Sequence, residues 1–167
     1  MNENFKSKLH QVKAFFFDVD GVLTDGSLLV TADGDLLRSM NIKDGYAMKL
    51  AVEKGYHVVI ISGGHSEGVA IRLRKLGIKD VFISVPDKRA VFEKLVAEYQ
   101  LSKEEIIYMG DDMPDLEVIQ LAGIPVCPAD AVPQIKSKCI YVSGFPGGKG
   151  CVRDIIEQVM TLHGRWE

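Results

Sequence analysis

Six short apolar runs recur along this chain, separated by segments of helical period, and that alternation restricts the fold more than any other feature of the sequence. The runs are Val12–Val19, Tyr56–Ile61, Val81–Ser84, Ile106–Met109, Ile124–Cys127 and Ile140–Val142. Most are continuous rather than alternating, as strands covered on both faces are. Helices fit Asp44–Lys54, which ends at Gly55, and Ser66–Leu76, which ends at Gly77. Lys88–Tyr99, Asp115–Ala122 and Gly150–Leu162 read the same way, and Ser102 with Glu105 has the form of a capping box. Strands and helices in turn predict an α/β fold, a parallel sheet between two helical layers.

One stretch breaks the alternation. Ser27–Val30 and Leu36–Ser39 are strand-like and flank Ala32-Asp33-Gly34-Asp35, whose Asp-Gly is a hairpin signal. A β-hairpin over about residues 27–39 is therefore expected inside the first crossover. With 167 residues, 47% of them hydrophobic, the chain suits one domain with a full core, spanning 1–167. Twenty Lys and Arg against 23 Asp and Glu give a net charge of −3, which argues against a nucleic-acid or anionic-membrane surface. No apolar run approaches the roughly 20 residues that cross a bilayer. Met1 to Lys13 is polar and has no secretory core, so a cytoplasmic location is expected. Cys127, Cys139 and Cys151 show no metal-ligand spacing and read as reduced, mostly buried thiols.

The chemistry is in two acidic clusters, each following an apolar strand. Asp18 and Asp20 stand at i and i+2 beyond Ala14-Phe-Phe-Phe, so both side chains can emerge on one side. Tyr108-Met-Gly-Asp-Asp-Met-Pro-Asp115 forms the second cluster. Paired carboxylates at the carboxyl edge of a parallel sheet repel unless a cation or proton intervenes, and an all-oxygen site suits Mg²⁺. Asp112 and Asp115 also read as helix caps. Ser62, followed by Gly63 and Gly64, fits phosphate binding at a helix start, and equally a simple cap. Lys88 alone would read as a solvated surface residue; only its company gives it a role.

Asp18-Val-Asp20-Gly-Val, Ser62, Lys88 and Gly110-Asp111-Asp112-x-x-Asp115 together resemble the four motifs of the haloacid dehalogenase superfamily of phosphatases. The resemblance spans the whole chain. It implies a Rossmann-like fold in which Asp18 attacks phosphorus and becomes an aspartyl phosphate. Asp20 would protonate the leaving group and then activate water. It further implies Mg²⁺ on the Asp18 carboxylate, the Asp20 carbonyl and Asp111. Asp112 and Asp115 would support that shell or orient Lys88, while Ser62, Gly63 and Lys88 would hold the phosphoryl group.

Only the hairpin and one helix fit between Asp20 and Ser62, and only 26 residues separate Ser62 from Lys88, so no cap domain is expected. Within the superfamily, Asp18–Gly26, the hairpin, Asn41-Ile-Lys-Asp-Gly45 and Gly147-Gly-Lys-Gly-Cys-Val-Arg153 resemble the capless phosphatases of 3-deoxy-D-manno-octulosonate 8-phosphate. That implies a sugar-acid phosphate substrate from lipopolysaccharide synthesis and a homotetramer joined through the hairpin. Asn41, Ile42, Lys43, Asp44, Gly45, Lys49 and Arg72 would contact the sugar acid, although Arg72 also reads as a solvated helix residue. Many relatives carry Arg where this chain has Gly64, which keeps nine-carbon acid phosphates open as substrates. Gly147–Gly150 fits either a reach into a neighbouring subunit or a turn before the last helix. The remoter alternatives are a phospho-accepting signalling domain and a catalytically silent module. The order of the acidic motifs tells against the first, and the full set of acids against the second.

Overall fold

The computed structural model describes residues 5–167. In chain order its elements are α1 (Phe5–Lys8), β1 (Ala14–Phe17), β2 (Leu29–Val30), β3 (Leu36–Leu37), α2 (Ile42–Glu53), β4 (His57–Ile61), α3 (Glu67–Lys75) and β5 (Asp80–Phe82). There follow α4 (Lys88–Glu98), β6 (Ile106–Met109), α5 (Leu116–Leu121), β7 (Ile124–Cys127), α6 (Pro133–Lys136), β8 (Tyr141–Val142) and α7 (Cys151–Leu162). Six strands form one parallel sheet in the order β5-β4-β1-β6-β7-β8. All six predicted sheet strands are present, and the expected Rossmann-like three-layer architecture is the one found.

The apolar runs explain the layering. Phe15 and Phe17 point into one core with α2, α3 and α7, while Phe16 points into the other with α4, α5 and α6. All three rings are fully buried, and each such burial stabilises the fold by about 1.5–3 kcal/mol. β1 is shorter than the Val12–Val19 run. At its start the Val12 amide closes a 3-10 turn on Leu9 O; at its end Val19 N donates to Asp18 Oδ1 at 2.6 Å and the chain leaves the sheet. Asp18 N still donates to Met109 O at 3.1 Å, which holds the ends of β1 and β6 side by side.

The hairpin forms, but only Leu29↔Leu37 and Val30↔Leu36 pair. Its strands are shorter than predicted because the hairpin packs on no layer of its own chain: Leu28, Leu29, Val30, Leu36 and Leu37 are all exposed, Leu29 at 67%. The Ser102 capping box is present, yet it serves a single 3-10 turn ahead of β6 rather than a helix. The segment predicted as a helix from Asp115 begins instead as a 3-10 turn, Met113–Asp115, and α6 is an element the periodicity did not show. Among the described residues no helix is long and apolar enough to cross a membrane. Cys127, Cys139 and Cys151 are free, two buried and Cys139 half-buried.

Candidate active site

The sheet reverses its direction of winding at β1: the chain steps outward through β4 and β5 and returns on the other side as β6. Crevices at such reversals are where open α/β sheets bind ligands. A cavity of about 340 Å³ lies there, lined by Asp18, Asp20, Ser62, Gly63, Gly64, Lys88, Asp111, Asp112 and Asp115 together with Gly21, Gly26 and Pro114. Ser62 follows β4 directly, Asp18 follows β1 and Asp111 lies just beyond β6. Residues spread over almost a hundred positions thus meet because three adjacent strands end together.

Lys88 is the centre of the charge arrangement. It is the first residue of α4, where the helix dipole disfavours a cation, and its side chain is buried. It is held there by two carboxylates, with Nζ 2.9 Å from Asp18 Oδ1 and 2.8 Å from Asp115 Oδ1. Asp87 caps the same helix through Ala90 N, fixing where Lys88 starts. Burial opposes the charge on Lys88, but the attraction of Asp115 and Asp18 outweighs it and lifts the ammonium above its ordinary value.

Asp115 is fully buried and saturated with partners: besides Lys88, Tyr108 donates to its Oδ1 at 2.6 Å and Asp111 N to its Oδ2 at 3.1 Å. It therefore fixes Lys88 and the Gly110-Asp111 turn at once. A Cβ at Gly110 would lie 2.4 Å from the Asp115 carboxyl carbon, so the turn must be glycine. Asp112 accepts from Met113 N at the start of the 3-10 turn, so it does cap, while its side chain is exposed at the cavity.

Burial, and then repulsion from Asp115, push Asp18 up to about 8 against the pull of Lys88. Burial and the charges of Asp115 and Asp112 push Asp111 up to about 7. One ligand oxygen each from Asp18, Asp111 and Asp115 fall within 4.8 Å of one another. Three carboxylates so close, two of them, Asp18 and Asp111, raised by desolvation and by the charge of their neighbours, form an all-oxygen set that a hard divalent cation would relieve, so the residues fit Mg²⁺.

The loop after Asp20 is braced from two sides. Thr24 Oγ1 accepts from Gly21 N and Gly26 N, both at 3.2 Å. Gly147 and Gly148 pack backbone on backbone against it: Gly148 N donates to Val22 O at 2.9 Å, and a Cβ at Gly147 would stand 1.9 Å from Gly21 O. The glycine loop before α7 is thus a buttress of its own chain's Asp20 loop, a role the sequence left open.

The proposed sugar-acid contacts lie elsewhere. Asn41 caps α2 through Lys43 N and donates to Gly148 O. Asn41, Ile42 and Lys43 line a separate groove of about 870 Å³ along α7. Asp44 is buried, its Oδ1 accepting from Arg153 N at 2.8 Å, so it caps α7 from a neighbouring helix. Gly45 packs against the Arg72 guanidinium, and Lys49 pairs with Glu53 at 3.7 Å on the surface. None of them reaches the cavity with Asp18 in this chain. Arg72 and Ile42 line a third cleft, of about 910 Å³, between the hairpin and α3.

Tyr108, Thr24 and Arg38 complete the site and were not singled out from the sequence. Arg38 donates from Nε and Nη2 to the two oxygens of Asp20, at 2.6 and 3.1 Å.

An acid-lined cavity with a buried lysine at the reversal of a parallel sheet defines a phosphoryl-transfer site of the haloacid dehalogenase type, and the family model of haloacid dehalogenase-like hydrolases matches residues 85–152. The chain is 31% identical over 159 residues to the 3-deoxy-D-manno-octulosonate 8-phosphate phosphatase of Escherichia coli K12, covering 95% of this chain and 85% of that one. The crystal structure of the enzyme of that name from Yersinia pestis superposes with a TM-score of 0.93 at 29% identity, over 97% of this chain and 88% of the other. The Moraxella catarrhalis enzyme, solved with a magnesium ion, a phosphate ion and a KDO molecule, gives 0.92 at 26% identity, over 97% and 93%. The chain belongs to this family of haloacid dehalogenase-like hydrolases and is a phosphatase. The signalling and silent-module alternatives fall away.

Proposed function

We propose that this chain hydrolyses 3-deoxy-D-manno-octulosonate 8-phosphate, releasing phosphate and the eight-carbon keto-sugar acid for lipopolysaccharide synthesis. The observation that supports this most directly is the meeting of Asp18, Asp111, Asp115 and Lys88 in one cavity. Its company is a family of relatives bearing that activity in their names.

In this reading Asp18 is the nucleophile. Val19 N and Lys88 both hold its Oδ1, which fixes the carboxylate's orientation toward an incoming phosphoryl group. An anion attacking an anion is opposed by Coulomb repulsion in a poorly solvated site. The Asp18 and Asp111 carboxylates and the Asp20 carbonyl, with Asp112 and Asp115 beside them, would hold Mg²⁺, which when bound would neutralise charge at the phosphate. Lys88 adds a second positive charge, and the Ser62 hydroxyl and Gly63 amide hold phosphoryl oxygens. Attack by Asp18 breaks the bond between phosphorus and the sugar oxygen, and Asp20 gives that oxygen its proton. Asp20 then takes a proton from the water that cleaves the aspartyl phosphate, restoring Asp18.

Asn41–Lys43, Lys49 and Arg72 would complete the sugar-acid site where a neighbouring subunit closes it, whereas the buried Asp44 and Gly45 would hold α2 in place against Arg153 and Arg72. The exposed leucines of the hairpin suit a homotetramer, since uncovered apolar strand edges pair readily with another chain. The cytoplasm, where such sugar phosphates are made, is the location this reading assigns.

The test is Mg²⁺-dependent phosphate release from the eight-carbon acid phosphate and from ketodeoxynonulosonate and N-acylneuraminate 9-phosphates, with Asp18→Asn as control. Preference for the eight-carbon ester supports the reading. Preference for a nine-carbon ester moves the substrate, and turnover of neither overturns the sugar-acid assignment while leaving the phosphatase class intact.

A further inference from the structure

Arg38 presents a problem that the reaction above does not solve. Its side chain is 4% exposed and stands on the exit of the hairpin. Three of its donors are committed: Nη1 to Leu36 O at 3.1 Å, Nε and Nη2 to Asp20. A forked guanidinium on a carboxylate is among the strongest polar pairings a protein makes. It occupies both oxygens of the residue that the proposed reaction needs at the leaving group. Asp20 becomes available only if the fork finds another anion, because a covered guanidinium left without a partner is strongly disfavoured.

The surroundings show where that anion would come from. Arg38 lines the cleft of about 910 Å³ between the hairpin and α3, together with His65 and Arg72. Gly64 joins this cleft to the phosphate cavity: it lines the cavity, and a Cβ there would stand 2.6 Å from Asp20 Oδ2, 3.0 Å from Arg38 Nη2 and 3.5 Å from Ser62 Oγ. The absence of a side chain at position 64 is what lets the fork reach Asp20. The phosphate has its own cation in Lys88, so the guanidinium is left for a second negative group on the same substrate.

We propose that Arg38 is a substrate-binding residue that exchanges Asp20 for the carboxylate of a sugar-acid phosphate lying in the hairpin–α3 cleft, and that Gly64 is the space this exchange requires. The inference rests on the sugar-acid reading above and deepens it. It makes specificity and catalysis one event: an ester without a carboxylate leaves Arg38 on Asp20.

The experiment compares kcat and KM of the full-length protein and of Arg38→Ala, Arg38→Lys and Gly64→Ala. The substrates are the eight-carbon acid phosphate, a nine-carbon acid phosphate and p-nitrophenyl phosphate, which has no carboxylate. In Arg38→Ala the ratio of kcat/KM for the preferred acid to that for p-nitrophenyl phosphate falls at least tenfold, with KM for the acid carrying the change. Arg38→Lys restores part of the ratio. Gly64→Ala, whose methyl meets only side-chain ends, keeps its thermal midpoint and lowers the same ratio. Equal losses on all substrates would reduce Arg38 to a support for Asp20 and overturn the proposal, as would an unchanged ratio. Failure of the wild type on every sugar acid, with p-nitrophenyl phosphate still cleaved, would instead remove the substrate reading on which the proposal stands, and the proposal with it.

Discussion

Tyr108 donates its phenolic hydrogen to Asp115 Oδ1 at 2.6 Å, from the buried interior of β6 to the residue that anchors Lys88. Because Asp115 Oδ1 is shared between the two donors, losing one changes how firmly the other is held. Tyr108→Phe is expected to lower stability by about 1.5–3 kcal/mol, the usual cost of a hydrogen bond to a charged group. It should lower kcat about tenfold through a less well-placed Lys88, with KM little changed. Urea unfolding and steady-state kinetics on the same preparation check both.

Gly147→Ala places a methyl against the Gly21 carbonyl and Thr24 backbone, neither of which is a flexible side-chain end. The loop carrying Asp20 must shift. Overpacking of this kind costs roughly 1–3 kcal/mol, and the displacement should cost at least tenfold in kcat. Gly144→Ala, whose Cβ would meet nothing within 4 Å, is the matched control in phosphate release and thermal unfolding.

Asp44 gives a pH dependence remote from the metal-binding acids. Burial raises its pKa above the ordinary 3.8, while hydrogen bonds from the Arg153 and Gly150 amides pull the other way. Between the unfolded value and this raised folded value the native state holds a proton that the unfolded chain has lost. Stability from this group is therefore complete below about pH 4 and is lost as pH rises through the folded value. Oδ2 has no hydrogen-bond partner, so Asp44→Asn keeps the acceptor for Arg153 N and removes the titration. The gap in unfolding free energy between the Asp44→Asn variant and wild type should grow in favour of the variant from pH 4 to pH 7. Asp44→Ala strands the Arg153 amide and should lose about 1–3 kcal/mol at every pH. Chemical denaturation at pH 4 and 7 reads both.

Magnesium should stabilise the fold by binding the native acids alone. At a hundredfold excess over Kd this adds about 2.7 kcal/mol, a rise of roughly 5–10 °C for a domain of this size. Chelation should reverse the rise and abolish phosphate release. In Asp111→Asn, differential scanning calorimetry should show most of the magnesium-dependent shift gone.

The hairpin leucines predict assembly. Leu29 and Leu37 face each other across the two strands, 67% and 50% exposed. If the hairpin carries the proposed tetramer, light scattering should find the wild type as a tetramer and Leu29→Glu with Leu37→Glu as a monomer, with the unfolding midpoint of the isolated chain little altered.

Much of this site was legible in the sequence because of where its residues stand. Asp18, Ser62 and Asp111 each lie at or just past the end of a buried strand, and parallel pairing brings such ends together. Lys88 was legible only in their company. Arg38 and Thr24 were not, because their partners are fixed by how the hairpin and loop fold back in three dimensions. Tyr108 was hidden inside an apolar run that looked like pure core. Asn41–Lys43 illustrate the converse: their spacing marks a helix start, which they form, but spacing carries no information about which cavity that start faces.

The seating of Gly147 and Gly148 under the loop that follows Asp20 joins two stretches more than a hundred residues apart. A fragment ending at β8 would keep every charged group of the cavity but leave no floor beneath the first aspartate pair, so cutting the chain there should silence a site whose acids and lysine are all still present.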